Sequence, residues 1–212
     1  MSSDHEKTRA SYDAVAEGYA KRFGPDLSDR PWDRAALGVL VEEVGAGAAV
    51  ADLGCGPGRA SGWLAGHGVR PVGIDLSPGM LAIARREHPE VEFREGNLLA
   101  LPAGDGEFDA ATAFYSLIHL GPERLPAALV EIGRVLRPGG LLLFVFHVGT
   151  EVRHLQEWLD QRIDLDFHYL DPELMTAALA EAGFTVQARV ERASRPPEAE
   201  TRRCYLLASR ND

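Results

Sequence analysis

The chain has 212 residues, 45% hydrophobic and 25% charged, with a net charge of −10. That length suits about one globular domain, and two cysteines, Cys55 and Cys204, exclude a disulfide framework or a four-ligand zinc site. The acidic balance disfavours nucleic-acid binding, the longest apolar run, Leu141–Phe146, is far short of the roughly 18 residues of a membrane span, and the polar Met1–Ala10 is no secretory signal.

Residues 1–47 read as helical, with Tyr12–Phe23 and then Pro31–Val44, where Leu37, Leu40, Val41 and Val44 share one face. A regular alternation follows. Val50–Leu53 is a buried strand, Arg59–Gly66 a helix and Pro71–Ile74 a second strand. Pro78–Arg86 is a helix with Ser77 as its N-cap and Pro78 at its first position. Strands at Val91–Arg94 and Phe108–Phe114 come next, then a helix over Pro122–Leu136 that Arg137-Pro-Gly-Gly140 stops, and a wholly apolar fifth strand at Leu141–Phe146. Residues 151–170 interrupt the alternation and read as a short helix and an extended piece. Asp171-Pro172 opens a helix that Gly183 closes. Phe184–Arg192 and Cys204–Ser209 read as strands joined without a helix, hence an antiparallel element on a parallel sheet.

The strongest local signal is Val50-Ala-Asp-Leu-Gly-Cys-Gly-Pro-Gly58, a strand running into three glycines at alternate positions and then a helix. Such a loop lets backbone turn sharply and approach a ligand at the carboxyl ends of the strands. Asp75 ends the second strand, where an acidic side chain accepts from ribose hydroxyls. A dinucleotide fold would want G-x-G-x-x-G, but Arg59 stands where the third glycine belongs, and Pro57 removes an N–H that a pyrophosphate would use. A nucleoside with an amino-acid tail, such as S-adenosylmethionine, suits the loop better. A purely structural tight turn is the remaining alternative.

In these motifs the chain resembles the class I S-adenosylmethionine-dependent methyltransferases, particularly the small bacterial, type 11-like group with ubiquinone- and menaquinone-biosynthesis members. The likeness runs over residues 11–147. Asp52-Leu-Gly-Cys-Gly-Pro-Gly58 resembles the family's first motif and Gly73-Ile-Asp-Leu-Ser77, with Met80-Leu81, its second. Gly96-Asn-Leu98, Phe108-Asp109 and Arg134-Val-Leu-Arg-Pro-Gly-Gly140 resemble the later ones, and Tyr12-Asp13, Ala16 and Tyr19 the N-terminal signature. The resemblance implies an α/β, Rossmann-like, seven-stranded and mostly parallel sheet with an antiparallel last strand, helices on both faces and an N-terminal helical cover. Within one domain over 1–212, it implies a cover at 1–47, a cofactor core at 48–147, an inserted substrate cover at 151–170 and a C-terminal helix and strand pair at 171–212. It implies S-adenosylmethionine as cofactor and S-adenosylhomocysteine as product, with Tyr19, Asp52, Gly54, Cys55, Gly56, Asp75, Leu76, Met80, Asn97, Leu98 and Phe114 around it. Asn97 departs from the Asp common in the family; its carbonyl can still accept from an adenine amino group.

The sulfonium already activates the methyl, so positioning and a deprotonated nucleophile suffice. Histidine is the usual base near pH 7, and His119, after the fourth strand, and His147, at the end of the fifth, are the candidates. Tyr12, Tyr115, His119 and Trp158 are expected at the acceptor, and no metal is called for. Cys55 reads as a small packing residue of the loop, and Glu198–Arg203 as a solvated charged turn, with carboxylate binding as its alternative. The expected protein is cytoplasmic, monomeric or homodimeric, and takes a small-molecule acceptor, with oxygen favoured over carbon or nitrogen. The alternatives are a catalytically silent cofactor-binding module and, less favoured, a nicotinamide-dependent oxidoreductase.

Overall fold

A computed structural model describes residues 4–196 and 198–212. Two helices, α1 (Asp4–Phe23) and α2 (Pro31–Val44), precede the first strand. The alternating core is β1 (Ala49–Leu53), α3 (Arg59–Ala65), β2 (Arg70–Asp75), α4 (Pro78–Glu87), β3 (Glu92–Glu95), β4 (Phe108–Phe114), α5 (Leu125–Val135) and β5 (Leu136–His147). Then come β6 (Val152–Trp158), β7 (Gln161–His168), α6 (Pro172–Glu181), β8 (Phe184–Arg192) and β9 (Arg203–Arg210).

Seven strands form one sheet in the order β3-β2-β1-β4-β5-β9-β8. The first five pair in parallel, and β9 pairs antiparallel with both β5 and β8. The last strand is therefore the antiparallel one, as the sequence implies, although it is wedged one place in from the edge. Strand alternation divides the core. Leu141, Leu143 and Val145 of β5 pack with Leu37, Leu40 and Leu64 of α2 and α3. Leu142, Phe144 and Phe146 pack on the other face with Leu125, Leu129, Ile132 and Leu179 of α5 and α6. Each such side chain, fully buried, contributes about 1.5–3 kcal/mol.

Local chemistry sets the helix starts. Ser77 Oγ accepts from Met80 N at 3.1 Å, with Pro78 at the first position of α4. Asp171 accepts from Glu173 N and Leu174 N at the head of α6. At the other end of α5, the Arg137-Pro-Gly-Gly140 stretch ends the helix one residue earlier than expected, and Leu136 already pairs with Phe108 of β4.

Residues 151–170 differ from expectation. They contain no helix: β6 and β7 form an antiparallel hairpin of their own, turning at Leu159 and Asp160, both at positive φ (51° and 61°). Tight hairpin turns favour Asn-Gly or Asp-Gly there, so the sequence carries no hairpin signal. The hairpin packs on α1. Val15, Ala16, Met80, Ile83, Ile163 and Leu165 make a small core between α1, α4 and β7.

Candidate active site

The carboxyl ends of β2, β1, β4 and β5 lie side by side and carry, in that order, Asp75, the glycine loop, Tyr115-Ser116 and His147. Asp75 is half-buried. Its Oδ2 accepts from Gly56 N and its Oδ1 from Ser77 N, each at 2.8 Å, and burial pushes its carboxyl up to about 6. Each oxygen keeps a lone pair for a further donor.

The glycines of the loop divide in role. A Cβ on Gly56 (φ +53°) would project into open space, whereas one on Gly54 (φ +69°) would lie 2.3 Å from Ser116 Cβ. Gly56 therefore leaves room for a ligand, and Gly54 leaves room for the turn after β4. That turn is strained: Tyr115 sits at φ +55°, and Ser116 Oγ is buried with no hydrogen-bond partner among the described residues. Strain of this kind gathers at functional sites.

Three residues expected at the cofactor are engaged elsewhere. Asp52 is buried, accepting from Ser61 Oγ at 2.6 Å and Thr112 Oγ1 at 3.0 Å, so it braces the loop from beneath. The Cys55 side chain packs with Leu81, Ala84, Val91 and Phe93 behind the loop, and burial pushes its thiol well up. Met80 belongs to the core under α1. Asn97 holds Leu99 N on its Oδ1 at 2.9 Å, an Asx turn that fixes the loop after β3. Leu76 is half-buried beside Asp75. Leu98 packs on the α5 side of the core and Phe114 on the α2 side.

The expected acceptor residues fall into two groups. Tyr12 of α1 meets His119 Nε2 through its hydroxyl at 2.7 Å. His119 Nδ1 lies 2.9 Å from the Asp166 carbonyl. A carbonyl only accepts, so Nδ1 carries the proton, and Nε2 is the acceptor that takes the Tyr12 O–H. Burial holds His119 down to about 4 and pushes Tyr12 well up, so both are neutral at pH 7. Trp158 lies 6.2 Å from Tyr12, 5.5 Å from Tyr19 and 6.1 Å from Phe167, ring to ring, and Phe167 lies 4.8 Å from His119. This aromatic wall comes from α1 and the hairpin.

His147 and Tyr115 form the second group, with rings 4.8 Å apart. His147 Nδ1 is 2.8 Å from Thr201 Oγ1, and burial, then the Arg203 charge, lowers its ring to about 4. Here the sequence reading needs correction. Arg202 is exposed, but the Arg203 side chain is only 4% accessible, and Glu198 is clamped by both terminal nitrogens of Arg192 at 2.8 Å. Of the expected solvated turn, Glu200 and Arg202 are in solvent, whereas Glu198 and Arg203 belong to a buried charge cluster. His88 also has a buried Nε2 with no partner among the described residues.

Residues 50–140 match the methyltransferase-domain family. A demethylmenaquinone methyltransferase of Beutenbergia cavernae is 43% identical over 115 residues, 54% of this chain and 46% of that protein. The chain thus spans about half the length of the curated relatives it matches. Among solved structures, the 1,6-didemethyltoxoflavin-N1-methyltransferase of Burkholderia thailandensis, with S-adenosylhomocysteine bound, superposes with a TM-score of 0.77 at 22% identity, covering 100% of this chain and 92% of that one. The [4+2]-cyclase SpnF superposes at 0.79 and 21% identity, covering 98% and 97%. The fold is that of the S-adenosylmethionine-dependent methyltransferases. No helix among the described residues is long and apolar enough to cross a membrane.

Proposed function

We propose that this protein transfers the methyl group of S-adenosylmethionine to an oxygen of a small-molecule acceptor. The reading is carried by one juxtaposition: the Asp75 carboxyl and the open space over Gly56 at one end of the strand-end crevice, and the Tyr12–His119 pair at the cover. A cyclase on the same fold means that fold alone does not choose a reaction; the site residues must.

The residues present fit the cofactor. Asp75 would take the ribose hydroxyls, Gly56 would admit the ligand against backbone, Leu76, Asn97 and Leu98 would line the base, and Tyr19 and Phe114 would border the tail. When bound, the cofactor supplies a methyl carbon activated by a sulfonium. The chain's own contribution is to position the acceptor and take up a proton. An acceptor hydroxyl placed against Tyr12 gives its proton to the Tyr12 oxygen as the Tyr12 proton passes to His119 Nε2. The Asp166 carbonyl holds Nδ1–H and so orients the ring. A histidine held down to about 4 is a weak base, so proton uptake accompanies methyl transfer and does not precede it. The aromatic wall of Tyr12, Tyr19, Trp158 and Phe167 keeps water out.

Calorimetry with S-adenosylhomocysteine and with NAD tests the cofactor, and isotope-labelled cofactor against a panel of phenols and other small hydroxyl compounds tests the transfer. Binding of the former and labelled methyl ethers are expected. Tight NAD binding without S-adenosylhomocysteine binding would overturn the assignment. Cofactor binding without transfer to any class of acceptor would leave a silent binding module.

A further inference from the structure

We propose that the acceptor carries a carboxylate and that Arg203, beside His147, is the residue that anchors it. This rests on the methyltransferase reading above and adds the substrate class. Arg203 opens β9 directly opposite His147 in the β5–β9 ladder, at the carboxyl end of β5. The acceptor end of the crevice therefore contains a cation that is only 4% accessible.

That cation shares its one carboxylate partner with other guanidiniums. Its Nη1 donates to the carbonyls of Ala199 and Thr201 and to Thr201 Oγ1. Glu198 Oε2 is 3.8 Å from its Nε and already receives Arg192. Asp33 is occupied by the Tyr205 hydroxyl at 2.7 Å, and the exposed Asp29 serves both Arg30 and Arg59. Four guanidiniums thus share three carboxylates. Among the described residues, Arg30 Nε is buried without a hydrogen-bond partner. A buried charge whose only counter-charge is shared is costly, and this one stands in a protein whose net charge is −10.

The surroundings select among anions. A planar guanidinium presents paired N–H groups that match a carboxylate. The Tyr115 and Tyr169 rings flank His147 at 4.8 and 5.7 Å and offer flat apolar surface to the body of such an acid. The Thr201 hydroxyl touches both Arg203 and His147 and fixes their spacing. A carboxylate held this way has its oxygens engaged, so it anchors the acceptor and leaves another group to receive the methyl.

The test uses unaltered protein saturated with S-adenosylhomocysteine, titrated with a panel of aryl and alkyl carboxylic acids, each beside its methyl ester. At least one acid is expected to bind more than tenfold tighter than its ester. No acid preferred over its ester overturns the proposal. Arg203→Gln is expected to erase the preference with S-adenosylhomocysteine affinity unchanged, and Thr201→Val, which spares the charge, to weaken the acid several-fold. If Arg203→Gln instead weakens S-adenosylhomocysteine and spares the acid, the charge serves the cofactor tail and the proposal falls. Failure of unaltered protein to bind S-adenosylhomocysteine at all would count against the methyltransferase reading instead.

Discussion

Asp75 combines two properties that a solvated carboxylate lacks. Backbone N–H groups hold both oxygens in place, and burial raises its pKa to about 6. The folded chain binds this proton more tightly than the unfolded chain does, so the group's contribution to stability is largest in acid and is lost as pH rises through about 6. Ribose hydroxyls favour the ionised form. Affinity for S-adenosylhomocysteine should therefore fall about tenfold on going from pH 7 to pH 5, as calorimetry at the two pH values would read. Asp75→Ala should weaken binding by about 1.5–3 kcal/mol, the range for hydrogen bonds to a charged group. The glycine loop gives a second residue-scale contrast. Gly54→Ala meets Ser116 Cβ and a positive φ together and should cost about 2–4 kcal/mol of stability, seen as a lowered melting temperature. Gly56→Ala should melt nearly as the parent does, yet bind the cofactor poorly. At the acceptor, Tyr12→Phe and His119→Ala should each lower turnover by about 10²-fold or more and leave cofactor affinity intact; equal turnover would remove the pair from the chemistry.

At the scale of elements, the cover is docked through polar contacts as well as apolar ones. Asp13 Oδ1 accepts from Ser77 Oγ at 2.5 Å and from Gly79 N at 2.9 Å, joining α1 to the head of α4. Ser11 Oγ receives Asp164 N at 2.9 Å, and Lys7 pairs with Asp164 at 2.8 Å, joining α1 to β7. The turn that carries Asp75 and Ser77 is therefore the turn that α1 grips, so a ligand held by Asp75 would bear on α1 there. Asp13→Ala should raise hydrogen exchange in α1 and in the β6–β7 hairpin, with β1, β4 and β5 unchanged. In the parent, S-adenosylhomocysteine should add protection to the same two elements. Equal protection with and without ligand would mean a fixed wall. The hairpin is also the element that sequence reading missed, because Leu159-Asp160 fills a turn where only Asn, Asp and Gly announce themselves.

Across the whole molecule, legibility follows sequence distance. The glycine loop, Asp75 and the parallel strands lie within short windows whose periodicity and turn residues declare them. The charge cluster beside Arg203 is closed by Arg30 reaching Glu198 and Asp33 reaching Tyr205 from distant stretches of chain, and no local pattern records that. Cys55 packs as its place in the loop suggests, but the role of Asp52 is less legible. Their motif marks a ligand loop, but which side chains face the ligand is settled by strand alternation and by partners such as Ser61 and Thr112. The position of β9 also bears on how the protein is made. A growing chain can assemble β1 to β5 as soon as they have been synthesised, but β8 has no place in the sheet until residues 203–210 arrive to stand between it and β5. Until then β5 remains a bare edge with its backbone N–H and C=O groups unpaired on one side, open to pairing with another nascent chain. The residues that complete Arg203's cluster arrive in the same closing step, so a partly synthesised chain has the glycine loop but not the charge cluster beside His147.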